Sequence, residues 1–201
     1  MIKVILADDE RLICDAVAML LNLERDISVA GVASNGIEAV VLAGKMKPDV
    51  AVIDLQMSDL DGIEVARRLS ALPKPVPSLI ITSHALPGIL RAALLAGVRG
   101  FIPKDTPGEK LAEAVRQVAS GARYIDPALA AEAMALGDSP LTPRETEILR
   151  MVIGGATVEK VAAMAGISTS TVQNHISAAC AKLGAENRHE AAHLAQSRGW
   201  L

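Results

Sequence analysis

Short apolar runs alternate with amphipathic stretches over the first 120 residues. Runs at 3–7, 27–33, 50–53, 79–82 and 100–102 read as strands, and segments near 10–22, 35–46, 61–71, 87–97 and 107–120 carry helical spacing. Five strand-then-helix repeats predict an α/β architecture, a parallel sheet with helices on both faces. Val50, Ala51, Val52 and Ile53 are apolar at every position, as a strand covered on both faces requires. After Gly121 the regularity stops. A turn at Tyr124, Ile125, Asp126 and Pro127 leads through an alanine-rich segment to Gly137, Asp138, Ser139 and Pro140, which together predict a linker with one short helix. From Leu141 onward the pattern is helical only. Thr142 can cap a helix with Pro143 at its first position and Glu145 three residues after the cap, and Gly154 and Gly155 stop it. Three more helices are expected over 157–165, 169–183 and 187–197, with Ser168 as a cap and Gly166 and Gly184 as stops. The predicted organisation is an α/β domain at 1–120, a linker at 121–138 and an all-α domain at 139–201.

Composition narrows the function. The 201 residues are 51% apolar and 21% charged, the balance of a globular chain. Phe101, Tyr124 and Trp200 are the only aromatics, too few to stack unpaired bases, which argues against an RRM-like or OB-type single-strand binder. The net charge of −3 is uneven: 1–120 carry 13 basic and 15 acidic residues, 121–138 one and three, 139–201 six and five. So small a C-terminal excess does not by itself mark a nucleic-acid binder. Cys14 and Cys180 match no metal or disulfide spacing and read as reduced thiols. Residues 1–7 are too short for a signal-peptide core, and the weakly charged stretch 69–90 is broken by Pro73, Pro75, Pro77 and Pro87. A cytoplasmic location without membrane contact is expected.

In parallel sheets of this kind, functional residues gather beyond the carboxyl ends of the strands. Here strand one ends in Asp8, Asp9 and Glu10, strand three in Asp54, strand four in Thr82 and Ser83, and strand five in Lys104. Carboxylates from two adjacent strands would meet at one spot and repel unless a cation neutralises them. An all-oxygen set of this type suits Mg²⁺. It can leave one carboxylate as a nucleophile toward a phosphoryl group, with a lysine and a hydroxyl to receive the phosphoryl oxygens. Taken singly, a strand-end Asp is often a helix or turn cap, Lys104 a solvated lysine and Phe101 a core aromatic.

Together, Asp8, Asp9, Asp54, Thr82 and Lys104 resemble the receiver domain of bacterial response regulators over residues 2–120. The resemblance implies a flavodoxin-like five-stranded sheet of order 2-1-3-4-5. It implies that Asp54 accepts phosphate from a sensor histidine kinase. Asp9, Asp54 and the backbone carbonyl of Gln56 would hold Mg²⁺, with Asp8 acting through water. Asp8, Thr82 and Lys104 would assist the transfer, and Thr82 and Phe101 would be the residues that move on activation. The chain departs from the family pattern at Ser58, where a proline usually follows the loop methionine, and at Lys104–Asp105 in place of Lys-Pro. Without proline a cis bond after Lys104 would cost about 3 kcal/mol. His84 falls where the family can tune phosphate lifetime; alone it reads as a solvated loop histidine.

The last 63 residues resemble the helix-turn-helix domain of the NarL/FixJ/LuxR type, through Leu141–Leu149, Gly155, Ile167–Ile176, Lys182, Leu183, Asn187 and Arg188. The Lys104–Asp105 variant belongs to the same subfamily. Four helices and double-stranded promoter DNA as partner follow from the resemblance. Helical geometry gives an independent reading of 169–183: Val172, Ile176, Ala179 and Leu183 share one stripe, and Ser170, Asn174, Ser177 and Ala181 lie opposite. Family alignment makes Gln173, Asn174 and Ser177 the base-edge readers, and Thr171, Lys160, Lys182 and Arg188 candidate phosphate contacts. Gln173 stands where lysine is common. Asn and Gln pair best with adenine, so adenines are expected at those operator positions. So few cations predict weak binding by one domain and a need for two copies.

The combined expectation is a phosphorylation-gated transcription factor that dimerises when Asp54 is modified and then binds its promoter. RNA polymerase is a further candidate partner. Leu21–Glu24, Pro87, Gly88, Gly199 and Trp200 make the chain similar to DesR-type regulators. An aspartyl phosphatase is a second reading, although Gln56 stands where such enzymes place an acid; a receiver that works unphosphorylated is a third.

Overall fold

The computed structural model describes residues 1–83, 85–135, 137 and 139–201, and the reading of His84 falls outside them. The chain divides into two compact units, Met1–Ala85 with Ala92–Ala130, and Ala131–Leu201 with Leu86–Arg91.

The first part of the chain runs β1 (Ile2–Ala7), α1 (Arg11–Asn22), β2 (Ile27–Ala33), α2 (Gly36–Met46), β3 (Val50–Asp54), α3 (Gly62–Ser70), β4 (Ser78–Thr82), α4 (Pro87–Leu95, of which Pro87–Arg91 group with the second unit), β5 (Gly100–Pro103), α5 (Gly108–Ala119) and β6 (Tyr124–Ile125). β1 to β5 and α1 to α5 match the predicted elements to within two residues at each end. All pairings are parallel, in the order β2-β1-β3-β4-β5-β6. The 2-1-3-4-5 core is as expected, with one correction: Tyr124 and Ile125 form a sixth strand rather than a linker turn. Tyr124 pairs with Gly100 and its N–H donates to the Arg99 carbonyl at 3.0 Å. A two-residue strand is too short to show alternation, and its partner lies more than twenty residues upstream.

Each residue of β3 is buried. Val50 and Val52 join the core beneath α1 and α5 with Val4, Leu6, Leu79 and Val115. Ala51 and Ile53 join the opposite core with Ile5, Ala39, Val65 and Leu69 beneath α2 and α3. Two-sided burial explains the unbroken apolar run. It also holds the strand ends rigidly beside one another.

An alanine-rich helix, α6 (Pro127–Ala135), follows β6. The helical unit contains α7 (Pro143–Ile153), α8 (Val158–Ala165), α9 (Thr169–Leu183) and α10 (Arg188–Ser197). Thr142 and Glu145 form the expected capping box. Gly166 and Gly184 take left-handed conformations that end α8 and α9, where a Cβ would add strain. Leu149, Val152, Ala179, Leu183 and Ala191 build one part of the core, and Ile148, Val161 and Val172 another. Among the described residues, no helix is long and apolar enough to cross a membrane.

Candidate functional site

The ends of β1, β3, β4 and β5 deliver the predicted acidic site. Asp8 and Asp54 are buried at 3% and 5% exposure, in a fold where such groups need partners, whereas Asp9 is exposed. One carboxylate oxygen from each of Asp8, Asp9 and Asp54 lies within 4.8 Å of the other two. Lys104 Nζ reaches between strands to Asp54 Oδ1 at 3.0 Å and Asp8 Oδ2 at 2.8 Å, with Glu10 Oε1 at 3.7 Å. Thr82 is buried at the end of β4, and its carbonyl accepts the Lys104 N–H at 2.8 Å. The peptide bond after Lys104 is trans. Phe101 is fully buried on β5, opposite Ile80 of β4.

The site is electrostatically unbalanced. Burial pushes the Asp54 carboxyl above its ordinary value and the Asp8 charge adds to that, while the Lys104 ammonium only partly offsets both. Burial would pull Lys104 down, but Asp8 and Asp54 outweigh it and hold the ammonium above its ordinary value. Two buried carboxylates thus share one half-buried cation. Asp8 Oδ2, though close to Lys104, has no aligned hydrogen-bond partner. An all-oxygen cluster with surplus negative charge, in which one ammonium is shared by the Asp8 and Asp54 carboxylates, fits a hydrated divalent cation.

Two features of the loop after Asp54 were not anticipated from the pattern. Gly62 opens α3 with its N–H donating to the Leu55 carbonyl at 2.8 Å. A Cβ there would stand 2.4 Å from the Asp54 carbonyl oxygen and 3.0 Å from Leu55 Cα, both backbone atoms. Only glycine lets the helix start so near Asp54. Asp59 is the second: its carboxylate accepts backbone N–H groups from the start of α2.

In the helical unit, Gly166, Ile167 and Ser168 form the turn between α8 and α9. The Ser168 side chain accepts the Thr171 N–H, and Val172, Ala179 and Leu183 are buried as the stripe predicts. Gln173, Asn174, Ser177, Ala178 and Ala181 are exposed on α9, and Lys160 is exposed on α8. Thr171 and Arg188 are half-buried; the Thr171 hydroxyl meets Ser168 Oγ at 2.8 Å, and Arg188 Nε donates to His189. Lys182, exposed on α9, also has a partner inside the domain. Its Nζ donates to both oxygens of buried Glu145, at 2.7 and 2.9 Å, joining α9 to α7. The pairing spans 37 residues and leaves no local signal.

A parallel α/β unit with this acidic cluster and a four-helix unit with this turn define a receiver coupled to a DNA-binding domain. Residues 4–116 match the family described as response regulator receiver domain, and residues 139–195 the bacterial regulatory proteins of the luxR family. The chain belongs to the two-component response regulators that carry a LuxR-type helix-turn-helix domain, and it is a DNA-binding transcription factor rather than a conventional enzyme. It is 38% identical to the uncharacterized transcriptional regulatory protein YvfU and 37% identical to the transcriptional regulatory protein DesR, both of Bacillus subtilis, over all of each chain. The crystal structure of the response regulator ChrA of a heme-sensing two-component system is 32% identical, covers 100% of this chain and 98% of its own, and superposes with a TM-score of 0.59. A receiver domain implies a histidine kinase as partner, and the acidic pocket is of the type that binds Mg²⁺ in receivers.

Proposed function

We propose that Asp54 is the phospho-acceptor and that its modification gates promoter binding. The observation that carries this reading is the meeting of Asp8, Asp9 and Asp54 oxygens within 4.8 Å, with Lys104 Nζ 3.0 Å from Asp54. An Asp54 oxygen forms the bond to phosphorus while the N–P bond of a kinase phosphohistidine breaks, and its electron pair returns to the imidazole nitrogen. Asp9, Asp54 and the Gln56 carbonyl would hold Mg²⁺, with Asp8 acting through a water. When bound, the ion supplies positive charge to the transferring phosphoryl oxygens. Lys104 exchanges its contact with the Asp54 carboxylate for a phosphoryl oxygen, and the Thr82 hydroxyl takes another. Phe101, buried on β5 next to β4, changes rotamer as Thr82 moves.

The modified receiver then pairs with a second copy, and two helical domains, one from each, engage a repeated promoter site. The neutral outer face of α9 supports this division of labour. Gln173, Asn174 and Ser177 read base edges, and Lys160, Thr171, Lys182 and Arg188 touch phosphates. Residues 139–201 carry six basic and five acidic residues, so one domain binds weakly and two copies are needed for tight binding. Receiver, linker and DNA-binding domain are assigned to 1–120, 121–138 and 139–201, with Tyr124 and Ile125 of the linker added to the receiver sheet as β6.

Treatment with acetyl phosphate and Mg²⁺ tests the reading. The chain is expected to gain about 80 Da and one phosphoryl group's charge, to dimerise, and to bind operators with adenines at the α9 positions best. Asp54→Ala is expected to lose all three responses. A chain that gains no mass, or an Asp54→Ala chain that still dimerises with the donor, overturns it.

A further inference from the structure

The loop between β3 and α3 carries Gln56, and it is held in an unusual way. At its ends the backbone is paired: Leu55 N–H donates to Ile81, the Leu55 carbonyl accepts from Gly62, and Gln56 N–H donates to Asp54 Oδ2 at 3.1 Å. Between them, Ser58 gives the loop none of the fixed φ that proline would impose. Asp59 supplies the anchor. Its Oδ1 accepts the N–H of Gly36 at 2.8 Å and of Leu60 at 2.7 Å, and its Oδ2 accepts the N–H of Ile37 at 2.9 Å.

Gly36 and Ile37 open α2, where the first amides have no acceptor inside the helix. Local capping accounts for other donors of this end. Asn35 accepts the Glu38 N–H at 2.8 Å, and Glu38 reaches back to the Ser34 N–H at 2.8 Å. Asp59 takes two that this capping omits, from more than twenty residues away. The helix end also favours a carboxylate electrostatically, and the three N–H groups hold the Asp59 carboxyl below its usual range. Gly36 completes the fit: a Cβ there would lie 2.7 Å from Leu60 Cβ and 2.8 Å from the Leu60 carbonyl oxygen. The loop therefore lies directly on the start of α2.

We propose that Asp59 is a positioning residue for the phospho-acceptor site, clamping the β3–α3 loop to α2 so that the Gln56 carbonyl is held in place for the cation. The proposal rests on the phospho-acceptor reading above. It makes Asp59 a determinant of cation affinity and leaves the transfer step to Asp54, Thr82 and Lys104.

The test uses the full chain with Asp59→Ala and Asp59→Asn. Amide hydrogen exchange in metal-free protein is expected to quicken at Gly36, Ile37 and Leu60 in Asp59→Ala. Mg²⁺ affinity, followed by titration of the backbone amide resonances, is expected to weaken by about tenfold, the lower end for groups that orient a metal ligand. The acetyl phosphate reaction at saturating Mg²⁺ is expected to stay near the wild-type rate. Asp59→Asn keeps an acceptor oxygen and should fall between; if Asp59→Ala does not fold, this variant carries the comparison. Unchanged Mg²⁺ affinity in a folded variant with quickened exchange overturns the proposal while the phospho-acceptor reading stands. A wild-type chain that takes up neither Mg²⁺ nor phosphate overturns both.

Discussion

Asp54 in one unit and Glu145 in the other are buried carboxylates set against a lysine, and the two respond in opposite directions. Asp54 lies 3.0 Å from Lys104 and Glu145 2.7 Å from Lys182. Burial raises the Asp54 carboxyl, and Asp8, competing for the same ammonium, raises it further. Burial also works against Glu145, but Lys182 and the Thr142 N–H and hydroxyl overcome it and hold the carboxyl below its ordinary value. The difference lies in what surrounds the pair. Glu145 has a lysine to itself and closes a capping box, so its charge is satisfied and its role is to join α7 to α9. Asp54 is left short of positive charge, as a group awaiting a cation and a phosphoryl group would be. A buried ion pair alone does not distinguish scaffold from site; the balance of its neighbours does.

The contrast can be tested by substitutions of decreasing effect. Gly62→Ala should be the most severe, because its Cβ would meet the Asp54 carbonyl oxygen at 2.4 Å and backbone must move. We expect about 1–3 kcal/mol of lost stability in urea unfolding and phosphorylation slowed about a hundredfold. Wild-type behaviour would show that the loop yields freely. Glu145→Ala should cost about 2 kcal/mol, combining a lost cap with a lost ion pair, with Asp54 phosphorylation unchanged. Glu145 also carries a pH signature. With its folded carboxyl depressed, its contribution is complete above the ordinary glutamate range and disappears as pH falls through the folded value. Unfolding of the helical unit in Glu145→Gln should lack that acid dependence.

Asp54→Asn should have the smallest effect on stability and the opposite sign. A raised carboxyl binds its proton more tightly in the folded chain, so wild-type stability falls as pH rises from the ordinary aspartate value through the folded one. Removing the charge should stabilise the chain by about 1 kcal/mol at neutral pH, with loss of phosphorylation. A destabilised Asp54→Asn would mean that Lys104 satisfies Asp54 as fully as Lys182 satisfies Glu145.

Local signals carried much of the architecture. Short apolar runs in β1 to β5 and helical spacing between them placed each of these elements within two residues, because strands covered on both faces are apolar throughout and a helix buries one face at its own period. Asp8, Asp9, Asp54, Thr82 and Lys104 were legible because strand ends in a parallel sheet share one edge. The stripe of Val172, Ala179 and Leu183 on α9, and with it the exposed Gln173, Asn174 and Ser177, followed from helix geometry alone. Tertiary contact settled what has no period. It made Tyr124 and Ile125 a strand by offering them the edge of β5, and it drew Lys182 to Glu145 across 37 residues. It gave Asp59 the amides of α2, and it required glycine at 62 because a carbonyl from β3 occupies the space a side chain would need. Each of these depends on a donor, acceptor or surface brought by another element, and a one-dimensional pattern records a residue's own needs without recording which partner will meet them.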